Sequence, residues 1–483
     1  MSGMARLSGG LRSVLSAFML VGICCTVDGD VMAAERLSTV LIRGVPHVKQ
    51  KPDFCGEACV EMWLRKRGVA GDQDDVFDQS GLDPTLGRGC YTKELAQALK
   101  RIGFQIGDVY TSIPVRTADA SLDKAFASLH ADLKRGVPSI VCMHFDDQPN
   151  TTEHFRLVLG YDSSADEVRY HDPAIEAGAD LRMARSEFLK LWPLKYASDQ
   201  WTLVRLRLEA DRLPALTLSA KDFTAADFAQ HIYELRKRLP HDGFSIVIQK
   251  PFVVVGDEPL ETVQQRADNT VKWAVDHLKR DYFAKDPAEI IDIWLFQDAN
   301  SYEEHVETLT RRKPTTPFGF YSSTDKALFM NISTGGGTLV HEIVHPFMAS
   351  NFPGCPSWFN EGLASLYEQA GERSGHIIGH TNWRLKGLQS AIRKGTVPPF
   401  KTLCSTTTRE FYDRDPGTNY SQARYLCHYL QEHDLLVKYY HAFRKNAATD
   451  PTGFETLKTI LGEDNMTDFQ QRWEVDVRKL QFP

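Results

Sequence analysis

Two histidines one helical turn apart, with a glutamate directly after the first, are the residues whose spacing points most clearly to chemistry. They are His341, Glu342 and His345 in the segment LVHEIVHPFM (residues 339–348). Residues four apart lie on one face of an α-helix, so both imidazoles can face a single metal ion. A carboxylate beside them can accept a proton from a water molecule that the metal has acidified. The pattern therefore predicts a helix that carries part of a hydrolytic metal centre.

A third ligand is expected further along the chain, because catalytic zinc sites usually have three protein ligands and one open position. The segment SWFNEGLASLYE (residues 357–368) supplies Glu361 on a second predicted helix, after a stretch with Pro and Gly that can turn the chain back. The two segments together are a far more specific signal for a catalytic metal site than the first segment alone. We expect Thr338 to cap the first helix and Pro346 to kink it just after the second histidine.

These motifs make roughly residues 240–440 similar to the gluzincin metallopeptidases, particularly the aminopeptidase-like branch in which the sequence NEG carries the third ligand. The resemblance implies one Zn²⁺ per chain, bound by His341, His345 and Glu361. It also implies that Glu342 is the general base, and that a tyrosine on a later helix stabilises the oxyanion. The segment TNYSQARYLCHYL (residues 418–430) offers Tyr420 for that role. Two alternatives stay open: a buried amphipathic helix with hydrogen-bonded histidines, and a metallopeptidase fold without activity.

A second reactive group lies in the first half of the chain. The segment VKQKPDFCGEACVEMWLRKRG (residues 48–68) predicts a helix that begins at Cys55. Backbone N–H groups at a helix N-terminus stabilise a thiolate, so we expect a lowered pKa for Cys55. A thiol nucleophile also needs a base, a group that orients the base, and donors for the oxyanion. His154 begins one predicted strand and Asp172 ends the next.

Residues 44–205 resemble the papain-like cysteine peptidases that trim double-glycine leaders in bacteriocin exporters, and their stand-alone relatives. The resemblance implies four roles: Cys55 as nucleophile, His154 as base, Asp172 as orienting carboxylate and Gln50 as oxyanion donor. Three alternatives stay open. Cys55 can pair with Cys90 or another thiol in a disulfide, the domain can bind peptides without cutting them, or His171 can replace His154 as the base.

Composition narrows the class of protein. The chain has 483 residues, which is more than one hydrophobic core normally supports, so two or three domains are expected. Its net charge of −7 gives no basic surplus, which argues against nucleic acid or an anionic membrane as the main partner.

The N-terminus has the features of an export signal. Arginines precede the apolar run VLSAFMLVGICCTV (residues 14–27), which is short for a membrane span, and small residues follow near Ala33 and Ala34. We predict a signal peptide over residues 1–34, a periplasmic or extracellular location and no transmembrane domain in the mature chain; an uncleaved N-terminal anchor is the alternative. The seven remaining cysteines have no regular spacing, which argues against a disulfide scaffold.

The predicted helices and strands that carry the metal-site residues and the thiol-site residues indicate an α+β protein. Short helices alternate with β-rich runs such as SIVCMHF and FRLVLGYD in the first half, which predicts an antiparallel sheet. The second half begins with mixed elements and becomes almost wholly helical after TGGGT. We predict three segments after the signal peptide: a papain-like cysteine peptidase-like domain (35–208), a linker (209–222), and a gluzincin-like domain with a mixed sheet and a helical C-terminal subdomain (223–483).

The sequence thus predicts an exported two-domain peptidase, with zinc-dependent cleavage in the second half and thiol-dependent cleavage in the first. Its expected partner is a peptide or protein substrate. The alternative is a cell-envelope peptide-binding or maturation factor in which one or both sites are silent. Substrate identity and oligomeric state stay open.

Overall fold

The computed structural model of the chain describes residues 37–149, 151–216, 222–414 and 416–482. The predicted signal peptide lies outside the described residues. None of the helices within the described ranges has both the length and the apolarity needed to cross a bilayer.

The first half contains a seven-stranded antiparallel sheet. Its strands are β1 (Val40–Leu41), β2 (Tyr110–Pro114), β3 (Ser139–His144), β4 (Glu153–Asp162), β5 (Glu167–His171), β6 (Leu181–Ala184) and β7 (Gln200–Arg207). Their order is β2-β7-β3-β4-β5-β6, and β1 pairs with β4. In β4 every residue from His154 to Tyr161 is buried, because both faces of this central strand are covered.

Helices cover both faces of this sheet. They are α1 (Cys55–Lys66), α2 (Gln73–Asp78), α3 (Thr92–Ile102), α4 (Ala118–Lys134) and α5 (Arg185–Leu191), with short 3₁₀ turns at Pro84–Leu86 and Val115–Thr117. The apolar residues of α1 and α3 form one core against the sheet, and those of α4 and α5 form another.

The second half begins with a five-stranded mixed sheet. Its strands are β8 (Ser245–Gln249), β9 (Phe252–Gly256), β10 (Ile291–Phe296), β11 (Gly319–Ser322) and β12 (Ala327–Asn331). The order is β11-β12-β10-β9-β8; the three central strands are parallel, and each edge strand is antiparallel to its neighbour.

Helices make up most of the remainder. Around the sheet they are α6 (Ala225–Arg236), α7 (Leu260–Arg266), a π-helical turn (Ala267–Lys272), α8 (Trp273–Asp281), α9 (Ala299–Thr310) and a 3₁₀ turn (Ile332–Thr334). After it they are α10 (Gly337–Asn351), α11 (Ser357–Leu366), a 3₁₀ turn (Tyr367–Gln369), α12 (Arg384–Arg393), α13 (Phe400–Cys404), α14 (Thr408–Asp413), α15 (Pro416–Glu432), α16 (Leu436–Asn446), α17 (Phe454–Leu461) and α18 (Met466–Lys479). A hairpin, β13 (Ala370–Arg373) and β14 (His376–Gly379), interrupts the helical region that the sequence predicted.

The start of α10 differs from the prediction. The helix begins at Gly337 with Gly336 at the N-cap position, so Thr338 lies inside the helix and the predicted Thr338 cap is wrong. A Cβ atom on Gly337 would lie 2.0 Å from the carbonyl oxygen of Glu368, so only glycine allows this close approach. Pro346 lies inside α10, and the helix continues beyond it to Asn351.

The observed architecture confirms the predicted α+β class, with an antiparallel sheet in the first half and a mixed sheet followed by helices in the second. Part of the predicted linker packs on the first half: Leu216 is buried in its core, and the carbonyl of Ala210 accepts a hydrogen bond from Arg67. The gluzincin identity of the second half and the domain boundaries stay predictions.

Candidate active sites

Three of the predicted metal ligands come together between two helices. His341 and His345 lie one turn apart on α10, and Glu361 lies on α11, with one ligand atom from each residue all within 4.8 Å of one another. The Nε2 atom of His341 lies 3.3 Å from Oε2 of Glu361, and Nε2 of His345 lies 3.9 Å from Oε1. The structure thus brings together the three side chains that the sequence selected.

A further polar residue contacts each of the three predicted ligands. The three contacts join Nδ1 of His341 to Oε1 of Glu368 (3.4 Å), Nδ1 of His345 to Oδ1 of Asn360 (3.1 Å), and Oε1 of Glu361 to the hydroxyl of Tyr412, which donates the hydrogen bond. Such outer contacts fix the orientation of metal ligands. Both imidazoles are consequently oriented with Nε2 toward the glutamate.

Sequence reasoning missed Glu368 and Tyr412. Glu368 lies seven residues after Glu361, in the 3₁₀ turn beyond α11, and is held by Arg384 (2.7 and 3.0 Å) and Asn382 (2.8 Å). Burial alone would raise the pKa of Glu368, but its contacts with His341 and Arg384 lower it to about 2. The residue was visible in the motif SWFNEGLASLYE, but no spacing rule pointed to it. Tyr412, on α14, has no local sequence pattern that connects it to the ligands.

The centre has the properties of a cation site. Oε2 of Glu361 is buried and has no hydrogen-bond partner among the described residues, which is costly unless a cation or proton donor binds there. Burial would raise the pKa of Glu361, but the two histidines outweigh this effect and lower the pKa to about 2. Two imidazole nitrogens and a carboxylate oxygen are a donor set that suits zinc, so these residues fit the predicted ion.

Glu342 lies at the edge of this centre. Its Oε2 is 3.8 Å from Nε2 of His345 and accepts a hydrogen bond from the backbone N–H of Tyr321 (3.0 Å). Burial raises the pKa of Glu342, so its carboxylate accepts a proton more readily than an exposed glutamate does.

A cleft of about 890 Å³ opens onto these residues. His341, Glu342 and Tyr420 all line it, and the Tyr420 ring lies 5.0 Å from the Arg384 guanidinium. Tyr420 therefore shares the cleft with the predicted base, while the hydroxyl of Tyr412 donates a hydrogen bond to the predicted ligand Glu361.

In the first half, Cys55 is the first residue of α1, as predicted. Its predicted pKa shift is wrong in direction. Burial raises the pKa of the Cys55 thiol to about 12; the backbone N–H of Phe155 opposes this, and the nearby carboxylates of Glu57 and Asp53 add to it. The amide dipoles of one helix end are too weak to offset this desolvation, so the resting sulfur is a protonated thiol.

The predicted base and orienting carboxylate form a buried pair. Nε2 of His154, on β4, lies 2.7 Å from Oδ1 of Asp172, which follows β5 directly. Arg156, two residues along β4, donates from Nε to the other oxygen of Asp172 (2.8 Å). Burial would raise the pKa of Asp172, but His154 and Arg156 lower it to about 2. Sequence reasoning missed Arg156, although its position on the same face of β4 as His154 was visible from the strand period.

The structure does not join all four predicted residues. Among the hydrogen bonds of the described residues, none links Cys55 to His154, and Nδ1 of His154 is left free. The backbone N–H of Gln50 donates a hydrogen bond to the carbonyl of Pro173 (3.0 Å), which holds this segment beside Asp172. The side-chain Oε1 of Gln50 is buried and has no hydrogen-bond partner among the described residues. His171 is engaged elsewhere, with Nε2 2.9 Å from the carbonyl oxygen of Val45.

Cys55 lines a cleft of about 870 Å³ together with Cys90 and Cys142. All seven cysteines in the described ranges are free, including Cys55 and Cys90, whose pairing was the disulfide alternative. A thiol at the start of α1 is therefore open to a molecule bound in this cleft.

Residues 42–198 match the family described as Peptidase_C39 like family, which covers about a third of the 483 residues. The match includes Cys55, His154 and Asp172, and identifies the first half as a cysteine-peptidase-like region. No curated protein matches the chain.

Solved structures that are similar to the chain include the three that follow. The peptidase domain of Streptococcus ComA, a bifunctional ABC transporter of a quorum-sensing pathway, is 16% identical over 33% of this chain and 98% of its own, with a TM-score of 0.22. A double-glycine motif protease from an AMS/PCAT transporter, in complex with its leader peptide, is 16% identical over 35% of this chain and 99% of its own (TM-score 0.22). Xylellain, a cysteine protease from Xylella fastidiosa, is 10% identical over 36% of this chain and 86% of its own (TM-score 0.26).

Proposed function

We propose that the chain is an exported peptidase with two hydrolytic centres, a zinc centre in the second half and a thiol centre in the first. The observation that carries the zinc proposal is the convergence of His341, His345 and Glu361, with ligand atoms within 4.8 Å of one another. The thiol proposal is supported by the family match over residues 42–198 and by the buried pair of His154 and Asp172. Peptides or proteins are the proposed substrates.

In the second half, His341 and His345 would hold Zn²⁺ through Nε2 and Glu361 through its carboxylate. When bound, the ion would supply a Lewis acid that acidifies water and polarises a peptide carbonyl. Glu342 would accept the proton of the attacking water and deliver it to the leaving amine; its Oε2 is held by the Tyr321 N–H, which fixes the carboxylate in the cleft. The Tyr420 hydroxyl would donate a hydrogen bond to the oxyanion.

In the first half, Asp172 orients His154 through Nε2, which leaves Nδ1 to accept the proton of Cys55. The sulfur would then attack the peptide carbonyl, and His154 would return the proton to the leaving amine. Because the resting thiol has a raised pKa, this transfer must accompany substrate binding. Gln50 would donate from its side-chain amide to the oxyanion.

A second candidate function for the first half follows from two observations. Arg156 neutralises Asp172, and no hydrogen bond of the described residues joins Cys55 to His154. Both features favour a peptide-binding or maturation domain with a silent thiol. This alternative predicts that Cys55→Ala leaves peptide cleavage unchanged.

A peptide-library digest separates these functions. We expect Glu342→Gln to retain the metal but lose metal-dependent cleavage, and Glu361→Ala to lose both; metal content is measured by atomic emission. Glu304→Gln, on an exposed face of α9, is the matched control. Cleavage products that disappear only in Cys55→Ala belong to the thiol centre. A metal-free wild-type chain with full activity would refute the zinc centre.

Export is tested separately. The predicted signal peptide requires that the chain recovered outside the cytoplasm begins near residue 35, as determined by N-terminal sequencing. An intact N-terminus in a membrane fraction supports the uncleaved anchor instead.

A further inference from the structure

Helix α6 belongs to the apolar cores of both halves. Two of its residues, Ala226 and Ala229, pack in the cluster that contains Phe54 and Phe77 of the first half. Three others pack in the cluster of the second sheet: Phe228, Ile232 and Leu235. All five are at most 2% exposed, so α6 is buried on two sides. Any movement of α6 must disturb both cores.

Among the described residues, three hydrogen bonds join α6 to the first half. The backbone N–H of Ala226 donates to Oδ1 of Asp78 (2.9 Å), Nε2 of Gln230 donates to the carbonyl of Pro52 (2.9 Å), and Arg236 donates to the carbonyl of Thr85 (2.9 Å). Only the Gln230 hydrogen bond ends on the segment that leads directly into Cys55.

That segment has an unfavourable backbone conformation. Asp53 has φ of 64°, which a residue with a side chain seldom adopts. Oδ2 of Asp53 accepts a hydrogen bond from the backbone N–H of Gly89 (2.9 Å). A Cβ atom on Gly89 would lie 1.9 Å from the carbonyl oxygen of Asp53. Phe54 then stacks on Phe77 with ring centroids 4.9 Å apart. The conformation before the thiol therefore depends on contacts from outside the segment.

We propose that Gln230 is a positioning residue for Cys55, through which the second half controls the thiol of the first. The expected effect on peptide cleavage rests on the thiol centre proposed above. The expected effect on the exposure of the Cys55 sulfur does not. While Gln230 holds the Pro52 carbonyl, the strained turn at Asp53 keeps Cys55 half-buried at the start of α1, with its sulfur at the wall of the cleft. When this hydrogen bond is removed, the turn relaxes and the exposed fraction of the sulfur increases.

The test compares two substitutions on α6 in the full chain. Gln230→Met keeps length and helix propensity but removes the donor, and Arg236→Met removes the hydrogen bond to Thr85 without reaching Pro52. We expect Gln230→Met to raise the iodoacetamide alkylation rate of Cys55 about fivefold, the scale of one hydrogen bond, as quantified on the peptide that contains Cys55. Arg236→Met should leave this rate unchanged. Gln230→Lys, which restores a donor, should return it toward the wild-type value.

The cleavage readout is independent of alkylation. If the thiol centre is active, Gln230→Met should also lower kcat with KM unchanged, because the nucleophile is misplaced while the cleft is intact. Altered alkylation without any thiol-dependent cleavage supports the positioning role and refutes the proposed activity. Equal alkylation rates in Gln230→Met and wild type, or an equal rise in Arg236→Met, overturn the positioning role.

Discussion

Replacing Arg156 with methionine tests the electrostatics of the buried pair in the first half. Arg156 is 5% exposed and Asp172 is fully buried. The arginine donates to Asp172 and to the carbonyls of His144 (3.2 Å) and Phe145 (2.9 Å). Methionine fills similar volume but provides none of these hydrogen bonds. Asp172 would then keep His154 as its side-chain hydrogen-bond partner.

The expected loss of stability follows from the pKa of Asp172. Its partners lower this pKa from 3.8 to about 2, which corresponds to about 2 kcal/mol of stabilisation at neutral pH. A carboxyl group whose pKa is lower in the folded state than in the unfolded state contributes its full stabilisation above the unfolded-state pKa. This stabilisation is lost as the pH falls through the folded-state pKa. Removal of one partner from a buried ion pair typically costs about 3–5 kcal/mol. We therefore expect Arg156→Met to destabilise the first half by about 2–4 kcal/mol at pH 7.

Hydrogen exchange of the β4 amides, measured by mass spectrometry as a function of urea, reports on this region without assuming one transition for the whole chain. The difference between wild type and Arg156→Met should be largest above about pH 5 and should shrink as the pH falls toward 2. Arg182→Met is the control, since Arg182 is exposed and lies 3.8 Å from its partner Glu167. Its effect should stay below about 0.5 kcal/mol. A loss that is independent of pH, or equal in the control, would refute the argument.

Three further predictions concern the two sites. Because the pKa of Cys55 is about 12, iodoacetamide should modify it about a thousandfold more slowly at pH 7 than an exposed thiol of ordinary pKa. The rate should rise with pH beyond about pH 10, and a plateau near pH 8 contradicts this. Glu368→Gln removes the charge beside His341 and should weaken metal binding about 10–100-fold in a chelator competition; unchanged affinity contradicts an orienting role. Gly337→Ala should lower the urea midpoint of unfolding, with a cost of about 1–3 kcal/mol, because the new Cβ would clash with the Glu368 carbonyl. Gly387→Ala, on an open helix face, is the control and should raise the midpoint slightly.

Local geometry explains which parts of the candidate sites were predictable. The spacing of His341 and His345 fixes their common face in any α-helix, and the alternation along β4 fixes the shared face of His154 and Arg156. The start of α1 at Cys55 also follows from the local pattern. These are relations between residues a few positions apart, and the backbone hydrogen bonds that create them are local as well.

Contacts between distant residues were not predictable in the same way. Tyr412 reaches Glu361 across 51 positions of sequence, and no periodicity connects helices α11 and α14. The predicted lowering of the pKa of Cys55 was wrong because the local helix end was considered without the burial of the sulfur beside Phe155.

The sequence by itself determined the chemical types available, their order along helices and strands, and the α+β class. Only the tertiary structure decided which side chain contacts each predicted ligand, which charge neutralises Asp172, and that α6 joins the two cores. The physical reason is that periodicity records which face of an element is buried. It does not record which other element buries that face, and desolvation and charge pairing depend on the identity of that neighbour.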